Sequence, residues 1–166
     1  LPSLSPKDRA AIALVRGEGV GHLALSFVRS ADDIRRAREE SGGMRTIAKI
    51  ECTDALARLA EIIEEADALL IDRGDLSKEI PIERVPFVQK AIIASARSRG
   101  KEVYVATNLL ESMVGRKEPT RAEVHDIVST ILDGAAGLAL ASETAIGKHP
   151  IEAINVLNKI IRHTRE

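Results

Sequence analysis

A length of 166 residues sets one domain, residues 1–166, as the expectation, and 45% hydrophobic residues supply its core; at 2% aromatic content that core rests on Ala, Ile, Leu and Val. The 24 Lys and Arg nearly balance 25 Asp and Glu, and with no long basic stripe and almost no stacking aromatics, nucleic acid is excluded as the partner. Cys52 is the single cysteine, which excludes an internal disulfide and a zinc-type cysteine cluster; no signal peptide or membrane-spanning apolar run is seen, so the chain reads as a soluble cytoplasmic protein with no membrane partner.

In chain order, "SPKDRAAIALVRGEG" predicts a helix with Ser5 as N-cap, Pro6 at the first helical position and Asp8 in the first turn. "GHLALSFV" follows as a short apolar strand. "SADDIRRAREESGG" is a helix capped by Ser30, with Asp33 three residues on and glycines at its end. "RTIAKIE" is a strand. "TDALARLAEIIEEA" is one amphipathic helix with Leu56, Leu59, Ile62 and Ile63 on a single stripe. "DALLI" is a strand, and a turn-rich loop spans residues 72–85. "PFVQKAIIASARSRG" is a helix with Pro86 at its start and Gly100 past its end. "EVYVAT" is a strand and "NLLESMVG" a short helix. "TRAEVHDIVSTILDG" opens on a Thr120 to Glu123 capping box. "AGLALA" is a strand, and "PIEAINVLNKIIRHT" is the last helix.

Five short apolar strands thus alternate with helices, the pattern of an α/β fold whose parallel strands are covered on both faces. A doubly wound sheet and a (βα)-barrel both fit this alternation. Polar residues cluster after the strands, at Arg29, Glu51, Asp72 to Asp75, Thr107 and Glu143. Strand C-termini carry the chemistry in barrels and in open sheets alike, so this cue locates the site rather than choosing the fold. No GxGxxG loop follows a strand, which lowers the dinucleotide-binding reading.

Side chains alternate along "TIAKIE", so Ile47, Lys49 and Glu51 share one face and Ala48 and Ile50 the other. Helices cover the Ala48 and Ile50 face; Lys49 and Glu51 then point to a barrel interior or mouth, where they are paired or solvated. An ion pair that only braces a strand end fits as well as a functional pair. Asp75 follows the next strand, and adjacent strands lie ~5 Å apart, so Glu51 and Asp75 can converge. Two such carboxylates share a proton or hold a cation, and Mg²⁺ takes one or two of them with substrate oxygens and water. The alternative for Asp75 is a turn cap. Gly74 lets backbone N–H groups approach an anion, and "LSKEIP" can present amides as well. Thr107 offers a hydroxyl to the same mouth, or caps "NLLESM". His22, His125, His149 and His163 show no ligand spacing and read as surface or packing residues. Cys52 reads as a buried thiol. Ser142 lacks a nucleophile-elbow context, and "DDIRRAREE" reads as a solvated helix face.

The order "LPSLSPKD", "SFVRS", "IAKIE", "RGDLSKEIP", "TNLLESM", "PTRAEVHDI", "ILDGA", "SETAIGKHPIEA" resembles the later part of the catalytic barrel of pyruvate kinases, a (βα)8 TIM-type barrel, over essentially the whole chain. The match corresponds to that family's barrel strands four to eight. The resemblance implies phosphoryl transfer from phosphoenolpyruvate to ADP, giving pyruvate and ATP, with Mg²⁺ or Mn²⁺ and usually K⁺. It implies that Glu51 and Asp75 bind the divalent ion and that Lys49 stabilises the phosphoryl group and the enolate. It places the substrate carboxylate on the backbone around Asp72, Gly74 and Asp75 and on the Thr107 hydroxyl. It also implies an oligomer, with "PTRAEVHDI" at a subunit contact and Arg121 a candidate there. From sequence, an exposed first-turn arginine is an equal reading of Arg121.

This chain departs from the family pattern in places. "ARGDLG" becomes Asp72-Arg73-Gly74-Asp75-Leu76-Ser77, so Asp72 replaces a small residue beside the anion site and is expected to repel a carboxylate unless it points away. Ser77 replaces a glycine, which would restrict the loop. "LSGETA" becomes Leu140-Ala141-Ser142-Glu143-Thr144-Ala145. A closed barrel needs about 250 residues. The three earlier strands, with the phosphate-binding arginine and the K⁺ ligands, are not seen, and the first residue is Leu1. The expectation is part of a larger chain, a partner for the missing half, or a reduced paralogue. The alternatives to the kinase are a Mg²⁺-dependent aldolase or lyase acting on a pyruvate enolate, and a non-catalytic phosphoenolpyruvate-binding regulatory module.

Overall fold

The computed structural model describes residues 4–166, so the first three residues of "LPSLSPKD" lie outside the described residues. The elements run α1 (Pro6–Gly17), β1 (His22–Leu25), α2 (Ala31–Ser41), β2 (Arg45–Ile50), α3 (Thr53–Ala57), α4 (Leu59–Glu65), β3 (Ala68–Asp72), α5 (Arg73–Glu79), α6 (Val85–Arg97), β4 (Glu102–Ala106), α7 (Arg121–Asp133), β5 (Gly137–Ala139), α8 (Ser142–Ala145) and α9 (Pro150–Arg165). Short 3₁₀ turns occupy Ile82–Arg84 and Glu111–Val114. The five strands form one parallel sheet in the order β1-β2-β3-β4-β5, each paired with its neighbour in sequence. That consecutive order is the order of a TIM-type barrel; a doubly wound sheet would reverse it. Among the described residues no helix is long and apolar enough to cross a membrane.

The alternation expected in β2 holds. Thr46, Ala48 and Ile50 are fully buried under the helices, whereas Ile47 and Lys49 on the other face are half-buried. Leu69, Ile71, Val103 and Val105 continue the helix-facing layer and meet Ile34, Ile62, Ile63, Ile92 and Ile93. Each fully buried Ile or Leu contributes roughly 1.5–3 kcal/mol. A second apolar cluster, including Leu109, Leu110, Met113, Ile127 and Leu157, fixes α7 and α9 to the 3₁₀ turn.

Caps form where the pattern placed them, with one exception. Ser5 and Asp8 close a capping box on α1, and Thr120 and Glu123 close one on α7. At α2 the Ser30 hydroxyl makes no cap bond; Asp33 Oδ2 instead accepts from Arg29 N at 2.9 Å. The single helix expected over "TDALARLAEIIEEA" is broken at Arg58, whose φ of −117° leaves the helical region. Ala55, Ile62 and Ile63 are buried on both sides of the break, since periodicity reports the buried face and not the continuity of the backbone. The loop expected over residues 72–85 is largely helical. Leu76 is fully buried and pins α5 to the core, outweighing the poor helix propensity of Gly74 and Asp75. "NLLESMVG" forms a 3₁₀ turn, and α8 was not foreseen.

Candidate active site

The ends of β2, β3 and β4 bring Lys49, Glu51, Asp72, Gly74, Asp75 and Thr107 to one mouth. One carboxylate oxygen each from Glu51, Asp72 and Asp75 lies within 4.8 Å of the others. No histidine and no cysteine joins this group. Cys52 packs against the core with its thiol 3.7 Å from Val28 O.

Glu51 is held from two sides. Phe27 N donates to Oε2 at 2.5 Å, and the Lys49 ammonium stands 2.5 Å from Oε1. The Glu51 side chain is fully buried, and apart from that ion pair its Oε1 has no hydrogen-bond partner. Lys49 also lies 3.4 Å from Asp72 Oδ2 and 3.4 Å from Ser26 Oγ. Burial pushes the Lys49 ammonium down, but Glu51 and then Asp72 outweigh it and hold it above its ordinary value. Asp72 therefore points into the mouth. Asp75 pairs with Lys78 at 2.7 Å on the exposed side.

Thr107 does not cap the following turn, which begins after Leu110. It adopts φ 68° and Asn108 φ 52°, a left-handed pair that turns the chain back over the mouth. Gly74 N donates to Thr107 Oγ1 at 2.8 Å, and the Thr107 hydroxyl reaches Asp72 Oδ1 at 3.1 Å and Ala106 O at 2.6 Å. A Cβ at Gly74 would meet Thr107 Oγ1 at 3.4 Å, an ordinary contact, so space alone does not demand glycine here. Ser77 does not restrict a loop. It lies inside α5, and its hydroxyl donates to Gly74 O at 2.9 Å.

Two residues that sequence reasoning did not place build the wall. Arg73 is buried beneath the Thr107–Asn108 turn; its guanidinium donates to Thr107 O at 2.9 Å, to Asn108 O at 2.7 Å and to Asp126 at 2.6 Å. Nothing in "RGD" marks which carbonyls need a donor, because they lie on the next strand's loop. Glu143 stood out as a polar residue after a strand, but its task was not legible: it accepts from Leu110 N at 2.9 Å and Ala141 N at 2.8 Å, tying the β4 loop to the β5 loop. A cleft of about 200 Å³ opens between Gly74, Thr107, Asn108, Glu111 and residues 141–143. That is below the usual size of drug-scale pockets and suits a small molecule.

All the oxygens of the acidic group are of the hard type that Mg²⁺ and Mn²⁺ take, and the buried Glu51 Oε1 has the Lys49 ammonium as its one polar neighbour among the described residues, which leaves it capacity for a second cation. The donor set of Glu51 and Asp75 fits such an ion. Arg121 sits exposed in the first turn of α7, away from this mouth's hydrogen bonds.

Comparison with known proteins gives a consistent result. The family described as "Pyruvate kinase, barrel domain" matches residues 1–154. A pyruvate kinase of Thermotoga maritima is 48% identical over 168 residues, covering 99% of this chain and 36% of its own length. A pyruvate kinase of Geobacillus stearothermophilus is 40% identical, covering 100% of this chain and 29% of its own. One from Mycobacterium tuberculosis is 43% identical, covering 96% and 35%. The chain spans about a third of the length of the curated relatives it matches.

Proposed function

The chain belongs to the pyruvate kinase family, and we propose that it carries the divalent-metal and phosphoenolpyruvate half of a site that transfers a phosphoryl group to ADP, giving pyruvate and ATP. The observation that carries this reading is the convergence of Lys49, Glu51, Asp75 and Thr107 on one mouth at the strand C-termini. The relatives named above all bear the name pyruvate kinase, and none favours the aldolase or the binding module.

Glu51 and Asp75 would hold the ion, which when bound supplies positive charge against phosphoryl and enolate oxygens. Lys49 is kept protonated between Glu51 and Asp72, so its ammonium offsets the negative charge that develops as the phosphoryl group leaves. The Thr107 hydroxyl holds the substrate carboxylate beside the Gly74 amide, and Arg73 keeps its backbone in place. A homo-oligomer in which α7 meets a second copy, with Arg121 at that contact, and K⁺ bound outside these five strands complete the proposal.

The test is pyruvate formation from phosphoenolpyruvate and ADP with Mg²⁺ and K⁺ in the full-length protein. Lys49→Ala is expected to lower kcat by about a hundredfold or more. Lys49→Arg keeps the charge that buried Glu51 requires, and so separates lost chemistry from lost folding. Equal rates in wild type and both variants would overturn the assignment.

A further inference from the structure

The resemblance implies a small residue where this chain has Asp72, and in the structure this carboxylate turns into the mouth toward Lys49. Its Oδ1 is engaged: Thr107 Oγ1 lies at 3.1 Å, and Asp75 N, in the first turn of α5, at 3.5 Å. Its Oδ2 has the Lys49 ammonium at 3.4 Å, beyond a close hydrogen bond. The side chain is 13% exposed, so this oxygen is largely withheld from water. It shares the mouth with Glu51, whose buried Oε1 lacks a hydrogen-bond partner apart from the Lys49 ion pair.

The geometry points to Asp72 as a third carboxylate of the divalent-metal site, beside Glu51 and Asp75. This rests on the function proposed above and goes beyond it, because the two-carboxylate arrangement does not require Asp72. Three facts support it. Oxygens of the three carboxylates lie within 4.8 Å of one another, so a small side-chain adjustment brings them inside the roughly 4.2 Å that two ligands of one ion at about 2.1 Å can span. Among the described residues a single ammonium, that of Lys49, faces two of these carboxylates, so close negative charge exceeds close positive charge on the buried side. Among the described residues the cation paired with the third is Lys78, on an exposed side chain that an ion can displace. Carboxylate count sets the affinity of such a site. With Asp72 the site is therefore expected to bind its ion more tightly than the same site without it, and to offer less residual positive charge to an anionic substrate.

The experiment uses Mn²⁺ alone as the probe, titrated into the full-length protein and followed by electron paramagnetic resonance. Asp72→Asn keeps the acceptor for Thr107 and removes the charge; Asp72→Ala removes both. Both variants are expected to bind Mn²⁺ at least about tenfold more weakly than wild type. Glu51→Gln is the reference for the underlying site. If Asp72→Asn binds as wild type does while Glu51→Gln does not bind, the third ligand is overturned and the two-carboxylate site stands. If wild type and Glu51→Gln bind alike, the underlying reading fails. Should the Asp72 variants not fold, a crystal structure of the wild type with Mn²⁺ decides. An Asp72 oxygen at the coordination distance of about 2.1 Å supports the assignment, and an ion held by Glu51 and Asp75 with Asp72 outside its shell overturns it.

Discussion

Arg73 is 8% exposed, yet it carries a full positive charge. Asp126 and the carbonyls of Thr107 and Asn108 satisfy it, and in return it holds two non-glycine residues at positive φ. Replacing it with Met strands those groups and is expected to cost about 3 kcal/mol in urea denaturation. A cost near zero would show that the turn supports itself. Lys78 acts in the opposite sense. It is 75% exposed and pairs with Asp75, so it competes with a cation for that carboxylate. Lys78→Met is expected to tighten Mg²⁺ binding about two- to threefold by calorimetry, with unfolding unchanged. Weaker binding would mean that Lys78 assists the site.

Elements owe their placement to buried stripes and to carboxylates that tie one element to another. Ile63 on α4 is fully buried against the sheet, and Ile63→Ala is expected to cost about 2–5 kcal/mol of unfolding free energy. Glu123 on α7 reaches the Ser112 amide and hydroxyl as well as the Thr120 cap. Burial pushes its carboxyl up, but the bonds from Ser112 and Thr120 outweigh it and hold the carboxyl below its ordinary value. Asp67, before β3, behaves alike: burial is outweighed by Thr46 and Arg38. Carboxyls depressed in the folded state add stability above the unfolded value and lose it as pH falls through the folded one. The urea midpoint should therefore hold level from neutral pH to the ordinary carboxylate range and drop below it. Glu123→Gln should flatten that drop; an unchanged acid limb would remove Glu123 from the account.

Across the molecule the sheet ends on two strands that each pair on one side among the described residues, β1 with β2 and β5 with β4. A groove beside β1 is lined by Leu4, Ile12, Val15, Leu23 and Leu25 and reaches Ser26, whose hydroxyl lies 3.4 Å from Lys49. Unpaired parallel edges invite further pairing. This chain expressed alone is expected to self-associate with rising concentration in sedimentation velocity. A monomer across the whole series would show that the edges are protected within these residues.

The order of strands and helices, the buried face of β2 and the capping boxes of α1 and α7 were legible in the sequence, because each depends on local periodicity or on residues three apart. So was the meeting of Lys49, Glu51 and Asp75, since parallel strands bring consecutive C-termini together. Tertiary structure alone decided that α5 replaces a loop, because the burial of Leu76 depends on neighbours distant in sequence. It alone decided that Asp72 faces inward, since its direction is set by Lys49 on β2 and by Thr107 in the turn after β4. It also gave Arg73 its place, because the carbonyls it serves come from a turn 34 residues further on.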